Sequence, residues 1–529
     1  MKIELYDTTL RDGAQMEGMS LSVEDKLKIA RKLDELGVHY IEGGWPGSNP
    51  KDAEFFVRAQ SLNFQHARLA AFGSTRRAGG DAATDANLRA LLDARTPVVT
   101  LVGKASDVHV RDVIETSPEE NLAMIADSVR LMRENGRTVF FDAEHFFDGY
   151  YSDPKYALAC LKAAASAGAG CLVLCDSNGG MTTEQLVAAI RAVKAEVDVP
   201  LGIHTHNDAD LAVANSLAAV AEGVQQVQGC VNGYGERCGN ANIISIIANL
   251  KLKLGNDVVS DEQLAMLTDV SHYISEVVNI VPDPYQPYVG GSAFTHKGGL
   301  HVAAVLKSDA SYQHVPPQRV GNTRRLVVSE LGGSSGVQQK LKEVGFESEL
   351  SRDEARKLQE LVNEQESKGY QFEGAEASFE MLVRRARPGY VVPFELEDFW
   401  IVERRASASA EHDREMQAEA MAKVRIGGKL LQTAAEGNGP VNALDAAVRK
   451  ALVEFFPAIY AVKLIDFKVR IIDSAAGTSA AVRVLIESSD GERSWTTVGA
   501  STDIIEASWL ALADSLEYFL VKRAGWTPG

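Results

Sequence analysis

The chain is 529 residues long, 45% of its residues are hydrophobic, 24% are charged, and its formal net charge is −18. This length predicts two or three soluble domains. The negative charge, with no basic stripe to offset it, argues against nucleic acid or an anionic membrane surface as a partner. The N-terminus has no apolar signal core, and all five cysteines lie between residues 160 and 238, which favours reduced thiols and a cytoplasmic location.

Short β-type runs alternate with amphipathic helical stretches through the first half of the chain. Eight such runs are predicted, at residues 3–7, 39–43, 68–73, 97–102, 138–144, 171–176, 201–206 and 226–231. Helices follow the runs, and those predicted at 22–36, 117–134 and 182–196 begin on Ser or Thr caps. Eight β/α units in this length predict a TIM (β/α)8 barrel, an α/β fold.

The rest of the chain is predicted to form two further regions. A mostly helical accessory region spans about 250–388 and includes a charged amphipathic helix at 351–367, and the polar, Ala-rich stretch 404–420 is either a helix or a tether. Strand-like runs and a last helix then predict a separate α+β domain, at 464–472, 480–488 and 502–523. We therefore expect a catalytic barrel at 1–275, an accessory region at 276–403 and a C-terminal domain at 404–529.

Polar residues stand where the predicted barrel strands end. They are Asp7, Arg11, Asp12, Glu42, Lys104, Glu144, Asp176, His204, His206 and Asn232. Catalytic groups of TIM barrels lie at the C-terminal ends of the strands. One polar residue at such a position carries little information, but polar residues after nearly every strand indicate a functional mouth.

A pair of histidines near the seventh strand end is a candidate metal site. His204 and His206 are two residues apart on a predicted strand, so their side chains point to the same face and can share one metal ion. Such a pair alone is more often structural, but an apolar run leading to a barrel mouth favours ligands. Asp12, beside Arg11 on the first loop, is a candidate third ligand. This set suits Mn, Mg, Zn, Co or Fe(II) and does not select among them.

Each of three other residues has two possible roles. Asn240, in a Gly-rich run, is either a weaker fourth ligand or a helix cap. Glu144 either pairs with Arg11 or Lys104, or acts as a general base or orients one. His301 is either ordinary packing or a catalytic acid or base delivered from outside the barrel.

Four motifs occur in the same order as in a known enzyme superfamily. The chain resembles the α-isopropylmalate synthase and homocitrate synthase superfamily in DTTLRDGAQ at 7–15, HTHND at 204–208, GERCGNAN at 235–242 and FTHKGGLH at 294–301. It looks like the citramalate synthase branch in EGGWPGSNPKDAEFF at 42–56 and in the C-terminal runs GNGPVNALDAAVRKAL and IIEASWLAL. The resemblance spans nearly the whole chain, and four motifs in order make it specific.

The resemblance implies an acyltransferase that condenses acetyl-CoA with a 2-oxo acid, pyruvate in this branch, and hydrolyses the thioester. The product would be citramalate, which feeds isoleucine synthesis. A divalent ion (Mn, Mg, Zn or Co) would be held by Asp12, His204, His206 and Asn240. Arg11 would stabilise the alkoxide, Gln15 and Ser177 would contact substrate, and Glu144 would be an acid/base, although many relatives have threonine at the Ser177 position.

Further implications concern the second half of the chain. His301 and Tyr312 match a catalytic pair that relatives deliver from the neighbouring subunit of a domain-swapped dimer, so a homodimer is implied. Ala303 stands where an aspartate is common, which removes a carboxylate from any proton relay there. The last domain resembles the superfamily's regulatory dimerisation domain, for which isoleucine is the expected effector.

Two alternatives remain beside this reading. A 2-isopropylmalate or homocitrate synthase would need a roomier oxo-acid pocket, and candidate walls of that pocket are Phe72 and either Leu101 or Val102. The other alternative is a catalytically silent homologue that senses an amino acid. Retention of the full set of candidate metal ligands together with Arg11 argues against it.

Overall fold

The structure is a computed structural model that describes residues 2–296, 301, 304–305, 307–308, 311–326, 352–387, 389–405, 416–472, 477 and 479–526. The chain divides into two compact units, Met1–Phe294 with Gln313–Arg324, and Thr295–Tyr312 with Arg325–Gly529. The three predicted domains and their boundaries at 275 and 403 stay predictions. No helix in the described part of the chain has the length and apolar character needed to span a bilayer.

The first unit contains a closed barrel of parallel strands that follow one another in sequence order. The strands are β1 (Glu4–Asp7), β2 (Tyr40–Glu42), β3 (Arg68–Ser74), β4 (Val98–Lys104), β5 (Thr138–Glu144), β6 (Cys171–Asp176), β7 (Leu201–Thr205) and β8 (Gln226–Gly229). The barrel closes where β1 pairs with β8, with Glu4 opposite Gln226 and Asp7 opposite Gly229. The predicted TIM barrel is confirmed, and each predicted strand lies within a few residues of an observed one.

Helices connect the strands and continue after β8. They are α1 (Val23–Leu36), α2 (Pro50–Ala59), α3 (Ala86–Asp93), α4 (Asp107–Asp112), α5 (Pro118–Glu134), α6 (Phe146–Ser152), α7 (Pro154–Ala167), α8 (Thr183–Glu196), α9 (Ala212–Ala221), α10 (Ile243–Leu252), α11 (Asp261–Leu264) and α12 (Leu267–Val277). Local sequence fixes several helix starts, since Ser22 with Asp25 and Thr182 with Gln185 form reciprocal capping boxes.

The barrel interior is filled by apolar side chains near the starts of the strands. Tyr6, Tyr40 and Phe140 pack there with edge contacts, and the Tyr40 and Phe140 ring centroids are 5.0 Å apart. These rings fill part of the barrel interior. Polar side chains such as Glu42 and Glu144 stand at the C-terminal ends of the strands.

The second unit contains two antiparallel sheets, each of three strands among the described residues and each followed by a helix. Its elements are β9 (Thr295–His296), β10 (Arg325–Leu326), α13 (Arg352–Ser367), α14 (Glu376–Arg385), β11 (Glu395–Arg405), β12 (Met416–Ile426), β13 (Lys429–Gly437), α15 (Pro440–Leu452), β14 (Lys463–Ile471), β15 (Val482–Ser489), β16 (Ser494–Ser501) and α16 (Ile504–Tyr518). The predicted C-terminal α+β architecture is confirmed, as is the helix predicted at 351–367.

One prediction for this region is wrong. The stretch 404–420 was expected to be a helix or a tether, but its described ends belong to β11 and β12, and residues 406–415 lie outside the described part. Ala418, Ala420 and Ala422 are buried at alternate positions on β12. Alanine favours helices intrinsically, and here the burial of one sheet face outweighs that preference.

Candidate active site

A cavity of about 700 Å³ opens at the C-terminal ends of the barrel strands. Its walls include most of the residues that the sequence analysis selected in this half of the chain, namely Arg11, Asp12, Gln15, Phe72, Val102, Lys104, Glu144, Ser177, His204 and His206. Val102 lines the cavity, whereas Leu101 is fully buried in the core between strands and helices. Of the two alternative walls on β4, the structure therefore selects Val102.

The two histidines and Asp12 form one compact cluster at the base of this cavity. The Nε2 atoms of His204 and His206 are 3.3 Å apart, and they lie 3.4 and 3.9 Å from Asp12 Oδ2. All three side chains are buried, and one potential ligand atom from each lies within 4.8 Å of the others. A carboxylate and two imidazole nitrogens at this spacing fit a single divalent ion.

Asn240 completes the cluster from the loop after β8. Its amide nitrogen donates to Asp12 Oδ1 at 3.1 Å, and its buried Oδ1 has no hydrogen-bond partner among the described residues. An orphaned buried oxygen on a residue that contacts Asp12 fits a further metal contact. Backbone pairing to the end of β7 holds the loop, because His206 and Asn240 form a β-bridge.

Glycine is needed at one position of this loop. Gly235 has φ of +150°, and a Cβ atom there would lie 2.2 Å from the Asn240 amide nitrogen. Any side chain at Gly235 would displace Asn240 from Asp12.

Arg11 is locked at the mouth by two carboxylates and an aromatic ring. Its Nε donates to Glu42 Oε1 at 2.6 Å and its Nη1 lies 3.2 Å from Asp12 Oδ2. The guanidinium carbon lies 3.8 Å from the centroid of the Phe72 ring. Glu42 is fully buried and also accepts from the Tyr6 hydroxyl at 2.6 Å. The guanidinium is therefore preorganised beside the metal-ligand cluster.

The charges of Asp12 and His206 suit ligand chemistry. Burial alone raises the pKa of Asp12, but Arg11 and His204 outweigh it and hold that pKa well below its usual range. Burial and the neighbouring His204 lower the pKa of His206 to about 4. Asp12 is thus an anion and His206 a neutral imidazole near pH 7, which are the forms that bind metals.

The other predicted barrel residues line the same cavity. Glu144 forms an ion pair with Lys104 at 2.5 Å, which was one of its two predicted roles. Its acid/base role stays a prediction. Ser177 Oγ accepts from the backbone N–H of His145 at 2.9 Å. Gln15 is exposed at the rim.

His301 and Tyr312 form a separate pair in the second unit. Both side chains are exposed, and their ring centroids lie 4.3 Å apart with planes inclined by 32°. The two residues that the resemblance pairs are thus in contact, and their catalytic role stays a prediction. Ala303 lies outside the described residues, and delivery of the pair from a neighbouring subunit stays a prediction.

The contacts of the buried polar groups around the site were not predicted from the sequence. Glu42 was predicted only as a strand end, and Asp142 and Gln228, which are buried inside the barrel and hydrogen-bonded to each other, were not selected. The available signal was a polar residue at an interior position of an otherwise apolar strand.

Comparisons with known proteins cover the whole chain. Three family models match it in order: HMGL-like at residues 2–274, Homocitrate synthase post-HMGL domain-like at 288–369, and LeuA allosteric (dimerisation) domain at 373–520. The first model alone covers half of the chain and coincides with the barrel.

Full-length relatives are similar along the same span. An (R)-citramalate synthase of Geobacter sulfurreducens is 50% identical over 98% of both chains, and one of Aquifex aeolicus is 50% identical over 98% of both. A 2-isopropylmalate synthase of Methanocaldococcus jannaschii is 31% identical over 99% of this chain and 95% of its own. The chain therefore belongs to the HMGL-like family of enzymes and, within it, to the citramalate synthase group.

Proposed function

We propose that the protein is a metal-dependent acyltransferase that condenses acetyl-CoA with pyruvate and hydrolyses the thioester, giving citramalate and CoA. The observation that carries the proposal is the intact cluster of Asp12, His204, His206 and Asn240 beside Arg11, in a chain 50% identical to (R)-citramalate synthases over 98% of its length. A silent amino-acid sensor has no need to keep a buried metal-ligand set. A role in isoleucine synthesis in the cytoplasm goes with this proposal.

The first step is a proton transfer followed by carbon–carbon bond formation. Glu144, held by Lys104, accepts a proton from the methyl group of the acetyl thioester. The resulting enolate carbon attacks the ketone carbon of the oxo acid, and the ketone oxygen gains the negative charge. Arg11 neutralises that alkoxide, since its guanidinium is fixed at the cavity wall by Glu42.

A divalent ion, when bound, would supply Lewis acidity to the oxo acid. Asp12, His204, His206 and Asn240 are the residues that would hold it, and Mn, Mg, Zn and Co all suit them. Gln15 and Ser177 contact the substrate from the same cavity. Water then adds to the thioester carbonyl, and the bond to sulfur breaks to release the CoA thiol.

His301 and Tyr312 are proposed to complete the catalytic set as an acid/base pair. Their ring contact within the second unit supports a shared role, because it holds together two side chains that can each transfer a proton. In this proposal the pair serves the barrel of a neighbouring subunit in a domain-swapped dimer.

The rigidity of the cavity wall favours pyruvate over larger oxo acids. Phe72 stacks on Arg11 and meets Trp45 edge-on, with ring centroids 5.5 Å apart. The Trp45 indole N–H in turn donates to Asn87 at 2.6 Å. A wall that is itself hydrogen-bonded in place cannot withdraw easily to admit a branched side chain. The 2-isopropylmalate and homocitrate activities of sister branches are the second candidates.

We further propose that the protein forms a homodimer through its second unit. On β15, Val484 and Ile486 are buried in the core formed with α16. Their partners on β14, Val469 and Phe467, share that face but are 43% and 37% exposed. A second copy covering this apolar strip is consistent with the match to a dimerisation domain. Isoleucine is the proposed effector of the same domain.

The test is an assay of thiol release from acetyl-CoA with four oxo acids in parallel. Pyruvate, 2-oxobutyrate, 2-oxoisovalerate and 2-oxoglutarate are compared with divalent metal present and with chelator added. A metal-dependent preference for pyruvate supports the proposal. Preference for 2-oxoisovalerate or 2-oxoglutarate moves the protein to a sister branch, and no thiol release with any acid supports the silent sensor.

A further inference from the structure

The two candidate metal-ligating histidines are held very differently by the protein around them. His204 Nδ1 lies 3.0 Å from Gln228 Oε1, whereas the buried Nδ1 of His206 has no hydrogen-bond partner among the described residues. A histidine ligand depends on the hydrogen bond of its other ring nitrogen, which fixes both tautomer and ring orientation. Among the described residues, the protein therefore hydrogen-bonds the Nδ1 atom of one imidazole and not that of the other.

The direction of the Gln228 amide follows from its other neighbours. Its Nε2 lies 3.2 Å from Asp142 Oδ1 and 3.3 Å from Gln226 Oε1. Two acceptors on one side require the amide nitrogen there, so the amide oxygen must face His204. That oxygen can only accept, so His204 Nδ1 carries a proton, and in the neutral imidazole the lone pair is on Nε2, which faces Asp12 and His206.

We propose that Gln228 is a positioning residue that selects the metal-binding tautomer of His204, with Asp142 behind it fixing the amide. The three side chains form a buried line from the interior of the barrel to the cluster, with Asp142 on β5, Gln228 on β8 and His204 on β7. No step of the proposed reaction uses Gln228 directly. The inference rests on the metal site of the proposed function and is independent of which oxo acid is the substrate.

The burial of the line explains why the amide matters. A buried carboxylate and a buried amide are stable only if hydrogen-bonded, and Asp142 and Gln228 are 3% and 0% exposed. Rotation of the amide would place its oxygen against two other oxygens and its nitrogen against the His204 N–H. The hydrogen bonds inside the barrel thus favour one orientation of the Gln228 amide and, through it, one orientation of the His204 ring.

The experiment measures cobalt(II) binding to the purified full chain without substrate. Gln228→Met keeps the length of the side chain and removes the amide, and cobalt should bind about 10- to 100-fold more weakly, as after loss of other groups behind metal ligands. The visible absorption spectrum of the bound cobalt should change, because the ring of His204 is free to rotate. Binding is measured above the pKa of about 7 that burial and the neighbouring Glu42 give Asp142, where its carboxylate is ionised.

Two further variants separate positioning from damage to the barrel. Gln226→Met removes a buried amide from the same face of the same strand, but Asp142 still orients Gln228, so cobalt affinity should stay within about threefold of the parent value. Gln228→Glu keeps an acceptor next to His204 and should retain more affinity than Gln228→Met. Thermal melting of the metal-free variants reports whether each one folds.

Each outcome supports or overturns the positioning role of Gln228 or the metal site on which it rests. Equal cobalt affinity and spectrum in Gln228→Met and parent would overturn the positioning role, as would equal losses in Gln228→Met and Gln226→Met. If Gln228→Met does not fold, a folded Gln228→Glu that fails to bind cobalt overturns the role, and one that binds supports it. A parent chain that binds no cobalt overturns the metal site itself, which is a failure of the proposed function.

Discussion

The barrel mouth and the sheet of β14, β15 and β16 differ in which side chains they bury and which they leave exposed. At the mouth, charged side chains are buried and tied to one another, as in the run from Tyr6 through Glu42 to Arg11 and Asp12. At the sheet, apolar side chains remain exposed, and Ile471 at the end of β14 is 57% exposed. The mouth satisfies its groups within one chain, whereas the sheet leaves an apolar strip exposed among the described residues.

This difference determines how each region responds to substitution. A buried ionic network depends on every member, because removing one leaves another charge unpaired in a low-dielectric site. An apolar strip depends on area and shape, and it tolerates apolar exchanges while rejecting charge. Changes at the mouth should therefore affect catalysis, and changes on β14 should affect assembly.

The largest effect is expected from His204→Ala, which removes one of the four proposed metal ligands. Asp12, His206 and Asn240 would hold the ion less firmly without it, so divalent metal should bind at least about 100-fold more weakly and thiol release should fall to background. Metal titration and the acetyl-CoA assay measure the two losses. His66→Ala, exposed before β3 at the other end of the barrel, is the control and should keep both. Normal metal binding in His204→Ala would remove the basis for the cluster.

Arg11→Lys should lower kcat by about 100- to 1,000-fold, the range seen on loss of one group that stabilises an oxyanion. A lysine ammonium is a single point and cannot bridge Glu42 and Asp12 while stacking on Phe72, as the planar guanidinium does. Steady-state kinetics with pyruvate check the prediction. The matched change Arg58→Lys alters an exposed surface pair with Glu24 and should leave kcat unchanged. Equal kcat values for both variants would contradict an alkoxide role.

The barrel and its ligands were predictable from sequence because their chemistry requires particular residue types at fixed spacing. The pair His204 and His206 shares a face by the period of a strand, and Asp12 must follow β1 to reach it. Glu42 was predicted only as a strand end, and Asp142 and Gln228 were not selected, because their contacts arise from side chains brought together across the barrel from β2, β5 and β8. Nothing in the local sequence around Gln228 encodes its distance to His204.

The second unit was harder to predict for a different physical reason. Strands β12 and β13 escaped recognition because alternate alanines on β12 carry a weak apolar signal and a helical propensity. The repeated plan of three strands and a helix, seen in β11–β13 with α15 and in β14–β16 with α16, lacks a shared motif. The apolar residues of β14 resemble those of a core strand in sequence. Whether such residues are exposed depends on the fold and cannot be read from the strand alone.

Val469→Asp should weaken the proposed dimer at least about 100-fold, because it places an uncompensated charge in the covered strip. Light scattering across a dilution series measures the shift toward monomer. Arg470→Asp changes the next residue, which points to the other face of β14 and is exposed, so it should leave the dimer intact. If the two variants dissociate alike, charge on the strand rather than burial of the strip explains the effect. Dimers unchanged by Val469→Asp would place the interface elsewhere.

The smallest expected effect is a change of substrate preference at the cavity wall. Val102→Ala enlarges the space beside Phe72, and the ratio of kcat/KM for 2-oxobutyrate over pyruvate should rise about tenfold, the scale of one methylene in an apolar pocket. Leu101→Val is the matched control, because Leu101 points into the core between strands and helices. It should cost about 1 kcal/mol of unfolding free energy and leave the ratio unchanged. A shifted ratio in Leu101→Val alone would mean that preference follows barrel packing rather than the wall, and the mouth would then be as dependent on shape as the sheet.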